Sequence, residues 1–282
     1  MGTQLKLENK ITAFLASATN TERDEKLALE LFFEVRNGLE VGFLRTAEVI
    51  AGKWVVNEWV KKAILLGFKY GVLQENIINN SWSFFDKHTM PLHALTLADN
   101  IRLVPGGSAI RSGSYVAPGT IIMPPSYINI GAYIDTGCMI DSHVLVGSCA
   151  QIGKNVHISA AAQVGGVLEP IGALPVIIED NAFIGGNCGI YEGTIVSTGC
   201  VLGTGVILNA STPVYDNTTG EFIKKTATNP LIIPKYAVVV AGTRPIKSGY
   251  GEKAAMQIYC PIIIKYRDAK TDRAITLEEM LR

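Results

Sequence analysis

Helical spacing governs the first hundred residues of this chain, and a six-residue spacing governs most of the remainder. In LENKITAFLAS and TERDEKLALELFFEVRNG the apolar residues recur every three or four positions, the interval that lines one face of an α-helix. Thr21 is placed to cap the second helix, and Asn37-Gly38 to stop it. LRTAEVIAGKWVV predicts a short hairpin turning near Gly52. NEWVKKAILLGFKYG predicts a third helix ended by Gly71, and the segment around Asn79, Asn80 and Asp86 predicts a loop. At about residue 101 helical spacing stops. Counting in sixes from Val104 then gives Val or Ile at eleven consecutive places, through Ile110, Val116 and Ile122 to Val164. The pattern breaks across GGVLEPIGALPVI and resumes two residues out of phase at Ile178, Ile184, Ile190, Val196, Leu202 and Leu208. The fourth residue after each apolar one is small, as at Ser114, Ala132, Cys138, Ala182 and Cys200, and the third is often Gly.

A strand alternates faces at every residue and a helix repeats near 3.6, so neither yields a strict six. A six-residue unit fits a short strand plus a turn, with one large and one small residue inward. Gly supplies backbone freedom at the turn. Three units close a triangular coil of about 18 residues, and such coils stack in parallel. About six coils fit. The expected fold is mainly β: a parallel β-helix of hexapeptide repeats over residues 101–245. An N-terminal helical domain, 1–100, precedes it, and a short C-terminal strand and helix extension, 246–282, comes after it. Residues 165–177 and about 209–231 are expected to leave the coils as loops or hairpins, the second turning at Asp216-Asn217 and Gly220. The ladder should end near IIPKYAVVVAGTRP; MQIYCPIIIKYRD then reads as a strand and ITLEEMLR as a short helix.

Charge and cysteine content narrow the function. Lys+Arg and Asp+Glu are both 25, so the chain has no electrostatic footprint for nucleic acid or an anionic membrane. No apolar run reaches the roughly 18 residues of a membrane-spanning helix, and MGTQLKLENK lacks the apolar core of a signal peptide. A cytoplasmic protein is expected. The five cysteines form no CxxC pair and read as reduced apolar fillers, so no metal site is expected.

The stretches NIGAYID, GCMIDSHVLVGSCAQIGKNVHIS, GGVLEP and PVIIEDNAFIG carry a narrower resemblance. It continues upstream in LRTAEVIAGKWVVNEWVKKAILLGF, FDK and IRLVP, and downstream in VYDNTTGE, VVVAG and IYCPIIIKYRDAKT. Over nearly the whole chain the sequence resembles the tetrahydrodipicolinate N-succinyltransferases, a family of hexapeptide-repeat acyltransferases; VGSCAQIGKNVH is the most specific block. The resemblance implies a left-handed winding of the coils and an enzyme of diaminopimelate and lysine biosynthesis. Such an enzyme transfers succinyl from succinyl-CoA to the amine of the ring-opened small-molecule acceptor. It also implies a homotrimer with active sites in clefts between neighbouring β-helices.

Amine attack on a thioester needs a proton acceptor within hydrogen-bond reach and donors for the carbonyl oxygen. Asp141, in MIDSH, matches the family aspartate implicated in substrate binding and catalysis, and it directly follows the inward Ile140. Arg102, in IRLVP, matches an arginine that would clamp a substrate carboxylate. Two positions depart from the family. A motif like GARSEVVEG carries a second catalytic carboxylate, but this chain reads GGNCGIYEG, with Gly189 in that place and Glu192 three residues on. His143 replaces a family tryptophan, and an imidazole can accept a proton near neutral pH. Asp141, His143 and Glu192 are therefore the catalytic candidates. His157, in KNVHIS, follows the family and reads as a packing or cleft-lining residue. For the acyl donor the family pattern points to Gly203, Thr204 and Gly205, to Ala241 and Gly242, and to Lys247. The two departures leave open a changed acceptor or acyl group, or a non-catalytic trimeric binding protein.

Overall fold

The computed structural model describes residues 2–17, 21–79 and 82–268. Three helices open the chain: α1 (Gly2–Ser17), α2 (Glu22–Glu40) and α3 (Glu58–Tyr70). Thr21 caps α2 reciprocally. Its hydroxyl accepts the Asp24 N–H at 3.2 Å, and its own N–H donates to the Asp24 carboxylate at 3.0 Å. Asn37-Gly38 does not stop this helix, which runs on to Glu40. A Cβ at Gly38 would lie 2.7 Å from the Leu44 side chain, so this glycine admits the returning chain against the helix. Gly71 ends α3 as expected. The hairpin near Gly52 is present as β1 (Ala47–Ile50) and β2 (Lys53–Val56).

The stretch expected to be a loop is instead an antiparallel hairpin, β3 (Leu73–Asn79) with β4 (Trp82–Lys87). Asn80 lies outside the described residues. The sequence hides this ladder because neither face alternates cleanly; Leu73, Ile77, Trp82 and Phe85 are all exposed. Asp86 on β4 pairs with Arg111 of the first coil and ties the hairpin down.

The six-residue pattern builds a three-walled parallel prism. Wall A contains Arg102–Leu103, Ile121–Ile122, Met139–Ile140, His157–Ile158, Phe183–Ile184, Val201–Leu202 and Ala237–Val240. Wall B runs from Ala109–Ile110 to Ile207–Leu208, and wall C from Tyr115–Val116 to Ile232–Ile233, with six strands each. Every second strand residue faces inward: Ile134, Ile140, Ile152, Ile158, Ile184 and Ile190 are fully buried. The small register, with Cys138, Ala162, Cys188 and Cys200, fills the space between these ladders. All five cysteines are free and buried. Burial pushes the Cys200 thiol up to about 12, and that thiol donates to the Pro234 carbonyl at 2.9 Å.

The first rung differs from the count. Leu103, not Val104, pairs with Ile122. The turn VPGGS therefore carries one extra residue before the strict period begins at Ile110. Ile152 pairs with Ile178 across the first break, and Val196 pairs with Ile233 across the second. The second excursion contains the expected hairpin, Val214–Asp216 with Glu221–Ile223. Burial works against the charge of Asp216. Hydrogen bonds from the Thr218 hydroxyl and N–H and from the Tyr266 hydroxyl prevail and hold its carboxyl below the usual range. The single strand expected from MQIYCPIIIKYRD is two: Gln257–Tyr259 pairs with Thr243–Pro245, and Ile262–Tyr266 joins wall A. Pro261, which lacks an N–H, stands at the break. A one-turn helix that the sequence pattern does not predict, Gly249–Lys253, lies inside this extension. The helix expected over ITLEEMLR lies outside the described residues.

The helical region covers wall C and its border with wall B. The Arg45 guanidinium stacks 3.8 Å from the Tyr133 ring centroid and donates to Gln151 at 2.8 Å. Trp54 donates to Glu179 at 3.0 Å. Lys61, fully buried on α3, donates to the Ala173 carbonyl at 2.6 Å and holds the first excursion. Burial lowers its ammonium below the usual lysine range. Along the border between walls A and B, His143, Ala160 and Asn187 are exposed and Asp141, Ser159 and Gly186 half-buried.

Candidate active site

The corners of the prism decide where functional side chains stand. The third residue after each inward one takes a left-handed backbone at most corners, which explains the glycines at 113, 119, 131, 137, 199 and 205. Asn155, Asn181 and Asn187 meet the same demand. His143 also occupies such a corner, at φ 62°, so its imidazole is carried on a backbone that most side chains avoid. It is exposed, and its N–H donates to the Pro125 carbonyl at 2.7 Å.

Asp141 stands on the border of walls A and B, one residue past the inward Ile140. Its N–H donates to the Ile158 carbonyl at 2.9 Å, and its carbonyl accepts the Ser126 hydroxyl at 2.8 Å. One carboxylate oxygen accepts the Ser142 N–H at 2.7 Å. The other has no partner among the described residues. The half-buried carboxylate is thus fixed at one oxygen and open at the other.

Stacking places further candidates directly along this border. Successive N–H to carbonyl bonds, Ser159 to Ile184, Gly185 to Leu202 and Gly203 to Val239, put Asp141, Ser159, Gly185 and Gly203 in one column. Gly203, Thr204 and Gly205 occupy the same three corner places, three coils away, that Asp141, Ser142 and His143 occupy. At the spacing of stacked strands that is about 14 Å. Ala241 and Gly242 come one coil further, after the pairing of Leu202 with Val239. The corners between carry mostly small side chains, Ser159, Ala160, Ala161, Gly185 and Gly186, with the exposed Asn187 as the exception. The Cys188 thiol donates to the Gly203 carbonyl from inside at 3.1 Å, and the Tyr259 hydroxyl accepts the Ile207 N–H at 2.6 Å beside Gly205. Burial raises the Tyr259 hydroxyl above its usual range, which favours the neutral form.

The remaining candidates lie elsewhere. Arg102 shares wall A with Met139 but two strands lower, exposed, with its N–H on the Thr120 carbonyl at 3.0 Å. Lys247 is exposed on the C-terminal extension. Glu192 belongs to the border of walls B and C, and its carboxylate accepts the Ala210 N–H at 2.8 Å. One chain therefore does not bring Glu192 to Asp141. The His157 and Phe183 rings lie tilted on each other on wall A with centroids 4.9 Å apart. No cluster of three or more His, Cys, Asp or Glu side chains arranged to hold a metal occurs among the described residues. No helix among them is long and apolar enough to cross a membrane.

The parallel prism of six-residue coils is the architecture of hexapeptide-repeat proteins, and the matches to known sequences place it among the acyltransferases. Residues 6–70 match the tetrahydrodipicolinate N-succinyltransferase N-terminal family, and residues 175–210 match the hexapeptide repeat of succinyl-transferase. A 2,3,4,5-tetrahydropyridine-2,6-dicarboxylate N-succinyltransferase of Ehrlichia ruminantium is 44% identical over 262 residues, covering 88% of this chain and 86% of that one. Its counterpart in Paraburkholderia phytofirmans is 45% identical over 251 residues, covering 86% of each chain. A solved structure from Campylobacter jejuni, described as a 2,3,4,5-tetrahydropyridine-2-carboxylate N-succinyltransferase, is 15% identical with a TM-score of 0.42, over 87% of this chain and 64% of that one. A likeness that distant adds nothing to the assignment.

The chain belongs to the 2,3,4,5-tetrahydropyridine-2,6-dicarboxylate N-succinyltransferase family. It is a succinyltransferase of diaminopimelate and lysine biosynthesis.

Proposed function

We propose that the protein transfers succinyl from succinyl-CoA to the amine of ring-opened tetrahydrodipicolinate, with Asp141 at the reacting end of the border between walls A and B. The observation that carries this reading is the single column joining Asp141 to Gly203, Thr204, Gly205, Ala241 and Gly242. Small corner residues let an extended pantetheine arm approach the backbone, and exposed Lys247 meets its phosphates. The open Asp141 oxygen orients the acceptor amine, and Arg102 holds a carboxylate. In the reaction the amine nitrogen forms the amide bond as the thioester carbon–sulfur bond breaks. The amine proton passes to a base, Asp141 or His143 at this border, and the sulfur leaves as the thiol of CoA. Much of the rate comes from holding amine and thioester together.

The working unit in this reading is a homotrimer in the cytoplasm. Asp141 and Glu192 lie on different borders of one prism, so a cleft between two prisms is the arrangement that sets one border against another wall. Glu192 reaches the acceptor only in that setting.

Purified protein mixed with succinyl-CoA and the dicarboxylate acceptor should release CoA thiol, with acetyl-CoA at least tenfold slower. No thiol release with succinyl-CoA and this acceptor sinks the proposal. Equal rates with acetyl-CoA would instead favour a relaxed acyl specificity.

A further inference from the structure

Wall B carries an unusual pair of side-chain positions. In successive coils the outward place after the inward residue is Gly147, Gly165 and then Tyr191. The Tyr191 ring does not stand away from the wall. A Cβ at Gly165 would lie 2.8 Å from Tyr191 Cδ1. A Cβ at Gly189 would lie 2.5 Å from Cε2 and 2.9 Å from the hydroxyl oxygen. The ring is therefore laid back over two glycine backbones, with its hydroxyl above Gly189. Real Cβ atoms do not approach so closely, so neither glycine can gain a side chain while the ring stays.

The hydroxyl has no hydrogen-bond partner among the described residues. Tyr191 itself is half-buried, one residue past the inward Ile190, where wall B turns toward wall C beside Glu192. A hydroxyl left without a partner is unfavourable once water is excluded, so a ligand covering this wall must supply one. The place it occupies is the place where the motif GARSEVVEG carries a carboxylate and this chain carries Gly189.

We propose that Tyr191, across the cleft between two prisms, contacts the acceptor lying at Asp141 of the neighbouring prism, the phenol oxygen accepting a hydrogen bond from the acceptor amine in the space vacated at Gly189. This rests on the acceptor proposed above. A phenol both accepts and donates, so it replaces the holding function of a carboxylate without its charge. Gly189 and Tyr191 then act as one unit: the missing side chain makes room for the aromatic one.

Three variants of the full chain test this: Tyr191→Phe, Gly189→Glu, and the double variant Gly189→Glu with Tyr191→Val. Tyr191→Phe should keep the wild-type Tm and the KM for succinyl-CoA, yet lose about tenfold in kcat/KM for the acceptor, the size of one hydrogen bond. Gly189→Glu alone should lower Tm, because the ring must be displaced. The double variant should regain Tm relative to Gly189→Glu, and exceed Tyr191→Phe in kcat/KM for the acceptor. Wild-type acceptor kinetics in Tyr191→Phe would overturn the proposal, as would an undiminished Tm in Gly189→Glu. Absence of turnover in the wild-type protein would defeat the function proposed above. The Tm comparison would still decide whether Gly189 and Tyr191 form one unit.

Discussion

Asp141→Asn should lower kcat/KM by roughly 10²- to 10⁴-fold, the usual scale of a positioned proton-transfer group. The replacement is chosen so that the fold survives. The Ser142 N–H can still donate to the amide oxygen, and the backbone bonds to Ile158 and Ser126 are untouched. Only the charge and the basicity of the open oxygen are lost. A steady-state assay with succinyl-CoA checks the rate, and a melt checks that Tm stays within about 2 °C, since an isosteric surface change costs little. A loss below about threefold would remove Asp141 from the chemistry. Glycine is the informative replacement at the neighbouring His143, because it accepts the left-handed φ of 62° without strain and so reports on the imidazole alone.

Ile158→Ala should destabilise the protein by roughly 2–5 kcal/mol, the range for emptying a fully buried isoleucine. Ile158 sits midway along wall A, paired with Ile140 on one side and Ile184 on the other, and all three are fully buried. A coil of a solenoid contacts only its neighbours, so a cavity there weakens two interfaces at once. The walls cannot collapse inward to fill it, because each strand is pinned by pairing above and below. Chemical denaturation followed by far-UV circular dichroism measures the cost. A value under about 1 kcal/mol would mean that the ladder does not carry the stability of the prism. Loss of activity in this variant should track the unfolded fraction rather than any change in KM.

The prism is legible in the sequence because its period is enforced at every coil. From Ile110 onward each expected inward residue is inward, and the small register is buried from Ser114 to Val206. The count misplaces Val104 because the extra residue in the turn VPGGS is invisible when Leu103 and Val104 are both apolar. The hairpin from Leu73 to Lys87 resembles a loop because its apolar residues are largely exposed, so no alternation marks a buried face. Gly38 resembles a helix stop although its role is to admit Leu44.

The candidate site is legible only in part. Counting the repeat puts Asp141 one place past an inward residue and His143 at a corner, and both stand there. That the glycines near 203 and the residues after Val240 share the border with Asp141 depends on pairing across two excursions, whose lengths no local pattern reveals. The direction of Glu192 depends on its bond to the Ala210 N–H, after the inward Leu208. Tyr191 is absent from the candidates that the sequence suggests. Its signal is present all the same: residues two apart on one strand share a face, so a tyrosine two places after a glycine can lie back across it.

A structure of the protein with CoA and a dicarboxylate analogue tests the central claim most directly. The donor should lie along the border of walls A and B, passing Ala241, Gly242 and the corner from Gly203 to Gly205, with its sulfur end toward Asp141 and the analogue beside that carboxylate. A donor seated along the border of walls B and C, with neither ligand touching Asp141 or the Gly203 to Gly205 corner, would contradict it.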